Sequence, residues 1–163
     1  MIARPLALIR TNRAVQVAVA LLLLGGLAFA WWTISPLFVT TTRVETGGAA
    51  TGGTVVARGS LVRVDEVHHG SGPVSIVELG GRRFVRFENV AIQNGPDLFV
   101  FLARGSGGAY DGSRDLDLGS LKATNGTFTY EIPAGVDLSG YRSVVVWCRA
   151  FAVLFTYADL RAP

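Results

Sequence analysis

The hydrophobic pattern changes character once along this chain, near residue 35, where an unbroken apolar run gives way to short alternating segments. Residues 14–34, AVQVAVALLLLGGLAFAWWTI, run for 21 positions without a charge. As a helix rising 1.5 Å per residue, the run reaches about 31 Å, close to the hydrocarbon thickness of a bilayer. Pro36 is expected to stop that helix. The Thr/Gly/Ala-rich stretch that follows, through residue 54, reads as a flexible spacer. From residue 55 to 163 the segments are short, rich in Val, Phe and Thr, and punctuated by turn residues, which predicts a separate all-β domain.

Within that domain the period-two pattern places several strands. Residues 60–67, SLVRVDEV, alternate. Residues 73–79 and 82–88 flank Gly80-Gly81, a two-residue hairpin signal because glycine tolerates positive φ. Residues 98–103, LFVFLA, are apolar on both faces and predict a central strand. Residues 105–115, GSGGAYDGSRD, read as a glycine-rich loop. In residues 127–132, Phe128, Tyr130 and Ile132 share one face. Residues 143–158 contain no Gly, Pro, Asn or Asp and exceed the usual strand length. Two strands joined at a bend or bulge near Arg149-Ala150 resolve this, with the chain crossing between sheets there. The expected architecture is a sandwich or open barrel of antiparallel strands, preceded by one transmembrane helix.

Charge sets the expected orientation. The formal net charge is +3, and Arg4, Arg10 and Arg13 are the only charged residues before Arg43. The remainder is neutral, so no basic face for nucleic acid is expected. The positive-inside rule places residues 1–13 in the cytoplasm, with Trp31 and Trp32 at the outer interface. The β domain is then extracytoplasmic, at the plasma membrane. A cleaved signal peptide is the rival reading, because Ala28-Phe29-Ala30 fits the small-x-small pattern. The length of the run and the bulky Trp pair favour an anchor. Either way the domain is exported.

Cys148, the single cysteine, is the residue with the most chemistry to offer. Period two puts it in a row with Val144 and Val146, while Val145, Trp147 and Arg149 face the other way. That row reads as core packing, since free cysteine is among the most buried residue types. An intrachain disulfide is excluded by count. A ligand or redox role is the alternative, with His68 or His69 as companions if HHGSG is a loop. Met1 lies across the membrane and offers no axial ligand, and a closed zinc site lacks four donors. Asn125-Gly126-Thr127 reads as a turn more than a glycosylation sequon. Asp111, Asp115 and Asp117 read as solvated turn residues, and Arg82, Arg83 and Arg86 as polar strand positions. No catalytic triad, P-loop or dinucleotide fingerprint is present in a supporting context, so a non-enzyme is expected over an enzyme.

The segments HHGSGPVSIVELGGRRFVRFENV, NGPDLFVFLA, DLDLGSLKATNGTFTYEIP and VDLSGYRSVVVWCRAFAVLFTYADL, in that order, closely resemble the DM-thirteen domain. WWTISPLF resembles the anchor exit of its bacterial, single-pass, membrane-anchored members. The resemblance implies an all-β module proposed to act in electron transfer or redox chemistry at the cell envelope. It implies a recurrent redox or ligand cysteine, matched by Cys148, and a family histidine, matched by His68. It leaves the cofactor open between haem, copper and none, and it implies an envelope or electron-transfer protein as partner. The alternative expectation is a non-enzymatic binding or structural module, recognising its partner through loops around residues 104–115, with Cys148 buried and inert.

Overall fold

The computed structural model describes residues 12–35 and 39–163. The chain forms two compact units, the second being Val39–Pro163. The first contains α1, Arg13–Ile34. The Asn12 side chain caps its start, accepting from the Ala14 N–H at 3.0 Å. The helix is long and apolar enough to cross a membrane. None of its described side chains is buried, and Leu22 is 77% exposed; a helix apolar all round is at home in lipid. Arg4 and Arg10, on which the expected orientation rests, and Pro36 lie outside the described residues.

The second unit is a β-sandwich. One sheet contains β1 (Thr42–Val44), β2 (Thr54–Ser60), β4 (Gly70–Ser71), β5 (Pro73–Leu79), β6 (Arg82–Ile92) and β9 (Asn125–Ile132). Its order is β1-β9-β6-β5-β2, with β4 also pairing β6. The other contains β3 (Val62–Arg63), β7 (Leu98–Ala103), β8 (Leu116–Ser120), β10 (Ser143–Cys148) and β11 (Val153–Asp159), in the order β3-β11-β10-β7-β8. All pairs are antiparallel except β1 with β9. Inward residues of both sheets form one core. Val74, Val85, Phe87 and Phe128 come from the first sheet, and Val100, Leu102, Val144 and Val146 from the second. Gly80 and Gly81 turn β5 into β6 with φ of 58° and 74°, the hairpin geometry expected of that pair.

Four expectations are corrected. Residues 35–54 are not a free spacer throughout. β1 adds to the edge of β9, and the Glu45 carboxylate accepts from the Thr129 N–H and hydroxyl, both at 2.9 Å. Ala49 and Ala50 are buried against the first sheet. Gly126 permits this pairing. It sits at φ 110°, and a Cβ there would collide with the Arg43 carbonyl. Asn125 and Gly126 therefore open a strand instead of forming a turn. Residues 60–67 are not one strand, because β3 spans two residues and a bent loop follows.

The fourth correction concerns the crossing between sheets. Residues 143–158 do form two strands, but β10 and β11 are hydrogen-bonded neighbours in one sheet, joined by a turn over residues 149–152. The irregularity lies on β11, where Phe155 is the unpaired extra residue. The chain changes sheets instead at Leu61, between β2 and β3. Leu61 is buried, and its N–H donates to the Gly72 carbonyl at 2.9 Å, so the corner satisfies its backbone.

Candidate functional site

Cys148 is the last residue of β10, opposite Leu98 of β7 and Val153 of β11. The alternation that turns Val144 and Val146 into the core carries Cys148 in with them. It has no exposed surface. Its Sγ makes no hydrogen bond to a described residue, and Arg149 points the opposite way.

His68 lies in the bent loop after β3, and one carboxylate organises that loop. Asp65 Oδ1 accepts from the backbone N–H of Val67 (2.8 Å) and of His68 (2.6 Å), while Oδ2 meets His68 Nδ1 at 2.8 Å. These contacts hold the Asp65 carboxyl down at about 2, the side-chain bond to His68 contributing most. The imidazole stands edge-on to Phe155, ring centres 4.9 Å apart. Phe155 belongs to the same buried cluster as Cys148. The fold thus brings His68 and Cys148 to one end of the sandwich, with Phe155 in the core between loop and strand. His69 instead offers its carbonyl to the Gln93 N–H at 2.9 Å.

These residues do not fit a haem or copper centre. No group of three His, Cys, Asp or Glu side chains among the described residues could hold a metal ion. Cys148 is sealed in the core, so a porphyrin or copper ion would reach Sγ only if the core opened. The aspartates of the glycine-rich loop are committed elsewhere. Asp115 accepts from the Arg104 and Asp111 N–H groups, and Asp111 from Ser113.

The opposite face of β10 carries a cluster that sequence reasoning did not assemble. Loop 104–115 folds over the outer face of the second sheet and lays Tyr110 against Phe101 (4.7 Å) and Trp147 (4.5 Å). The Arg149 guanidinium sits 3.4 Å from the Phe99 ring centre and pairs with Asp117. Burial pushes the Tyr110 phenol up, with Arg149 opposing and the nearby aspartates reinforcing. The available signal was LFVFLA, apolar on both faces and so requiring a cover on each.

No curated protein matches this chain, and neither does any solved structure. A family model does, over residues 62–160, spanning β3 to the end of β11 and including both His68 and Cys148. On that match the chain belongs to the family described as electron transfer DM13.

Proposed function

We propose that this chain is an electron-transfer module tethered to the plasma membrane by α1, with its β domain on the extracytoplasmic side and Cys148 as the exchanging group. The observation that carries this reading is the family match from β3 through β11 of the sandwich. Cys148 and His68 both fall within it. With one cysteine in the chain, Cys148 exchanges with a disulfide of a partner protein: its sulfur, giving up its proton, bonds to one partner sulfur, the partner S–S bond breaks and the second partner sulfur leaves as a thiolate, so the partner disulfide is the oxidant. Because Sγ has no exposed surface, exchange then requires the core to open at the end of β10.

A second reading is favoured by the zero exposure of Cys148. In it the domain is a binding or structural module of the envelope, loop 104–115 contributes to recognition, and the thiol only packs. Alkylation of the full-length protein in membranes separates the two. Under the first reading Cys148 is modified in the folded protein at a rate that follows the redox poise. Under the second it reacts only after denaturation. An absorption spectrum of the same preparation, expressed with haem and copper supplied, tests the ligand fit. A Soret or charge-transfer band lost in Cys148→Ser would overturn the conclusion that these residues do not suit such a centre.

A further inference from the structure

Four side chains line up across the outer face of the first sheet. The register sets Arg58 of β2 opposite Ser75 of β5, and Ser75 opposite Arg86 of β6. On the free side of β2, Arg58 meets Arg161 in an isolated antiparallel bridge, each N–H donating to the other's carbonyl at 2.9 Å. Residues directly opposite in antiparallel strands project to the same face, with Cβ atoms about 4.5–5.5 Å apart. Their neighbours Val74, Ile76, Val85 and Phe87 face the core, so the row Arg161–Arg58–Ser75–Arg86 faces away from it. All four residues line one cleft of about 610 Å³.

The charges in this cleft are poorly neutralised. Like charges directly opposite each other across strands are destabilising. Neither Arg58 nor Arg161 has an ion-pair partner among the described residues. The Arg86 side chain is 12% exposed, yet its buried Nε makes no hydrogen bond. Its other contact is a long 3.4 Å bond to the Gly52 carbonyl. Two carboxylates line the cleft. Glu88 approaches Arg86 Nε at 3.6 Å, beyond hydrogen-bonding range, and Asp159 accepts from the Gly107 N–H at 2.8 Å. Ser75 is buried between two arginines, and its hydroxyl has no hydrogen bond to a described residue.

We propose that this cleft binds a small multivalent oxyanion, a phosphate or a polycarboxylate, clasped by Arg58, Arg86 and Arg161 with the Ser75 hydroxyl as a fourth donor. Guanidinium groups suit such anions because their planar N–H pairs match two oxygens at once. A bound anion also removes the repulsion across the Arg58–Arg161 bridge. The site stands apart from Cys148 and is independent of the electron-transfer reading.

The test uses the full-length protein in phosphatidylcholine nanodiscs, with the thermal midpoint followed against inorganic phosphate, citrate, and chloride at matched ionic strength. Phosphate or citrate is expected to raise the midpoint saturably. Arg58→Gln and Arg161→Gln, both at exposed positions, are expected to weaken that response about tenfold or more, the scale of one lost charged hydrogen bond. Without added anion at low salt, Arg161→Gln is expected to raise the midpoint by relieving the repulsion. Nanodiscs containing phosphatidylglycerol distinguish the source of the anion. A rise there that free phosphate cannot increase makes the occupant a lipid headgroup; additivity makes it a soluble anion. An equal rise with chloride, or a response unchanged in both glutamine variants, overturns the proposal.

Discussion

Trp147 and Cys148 are consecutive on β10 and face opposite sides of the sheet, Trp147 beneath Tyr110 and Cys148 in the sealed core. One peptide unit therefore separates a half-exposed aromatic surface from a thiol with no surface at all. Substituting each side separately probes core and cover independently.

On the core side, Cys148→Ala is expected to cost about 1 kcal/mol, the scale of a methyl-sized cavity. Cys148→Ser is expected to cost about 1–3 kcal/mol despite its similar size, because it buries a hydroxyl with no partner. Denaturant midpoints of the two variants check the order. A serine variant as stable as wild type would mean that water reaches the end of β10.

On the outer side, Tyr110→Ala is expected to release loop 104–115 from the second sheet and uncover Trp147. Loss of one half-buried aromatic contact should cost about 1–3 kcal/mol. Trp147 emission should shift to the red, read as a difference from a Trp147→Phe control that retains Trp31 and Trp32. An unshifted spectrum would show that the loop holds its place without Tyr110.

Acid should loosen the loop that carries His68. The Asp65 carboxyl titrates at about 2 in the folded protein against an ordinary 3.8. The unfolded chain therefore binds more protons between these values, and stability contributed by the carboxylate falls as pH drops through that window. Amide exchange at Val67 and His68, whose N–H groups Asp65 holds, should accelerate below about pH 4 relative to the core strands. Asp65→Asn should show the faster exchange already at neutral pH and lose most of the acid dependence.

Gly126→Ala is expected to detach β1. The new Cβ meets the Arg43 carbonyl, and φ of 110° is strained for any side chain. A cost of about 1–3 kcal/mol follows from the backbone conformation alone. Limited proteolysis should then cut within residues 42–54 while the sandwich core persists. Unchanged resistance there would mean that Glu45 and its Thr129 contacts hold β1 without its pairing.

Much of the fold was legible because strands with one buried face leave a period-two record. Residues 73–79 and 98–103 coincide with β5 and β7, and Phe128, Tyr130 and Ile132 are buried together. The inward direction of Cys148 followed from the same alternation. The two-strand reading of residues 143–158 held, but its crossing point did not. A turn without Gly or Pro, with Ala152 at φ 51°, carries no local signature of whether the returning strand stays in its sheet.

Residues 42–54 failed for a related reason. Thr, Gly and Ala are small and neutral, so their composition matches a spacer whether or not an edge strand such as β9 is available to them. The spacing of Arg58 and Arg161, more than a hundred positions apart in the chain, likewise says nothing of a bridge between them.

The sequence by itself determined a helix long and apolar enough to cross a membrane, the all-β class and the inward row ending at Cys148. Each depends on a local period or on a length set by covalent geometry and solvent. Only the tertiary structure decided which strands became neighbours. That choice buried Cys148 between Leu98 and Val153, folded Tyr110 over Trp147 and set two arginines face to face across a bridge. Register between distant strands arises from the packing of the whole core, and no short stretch of residues encodes it.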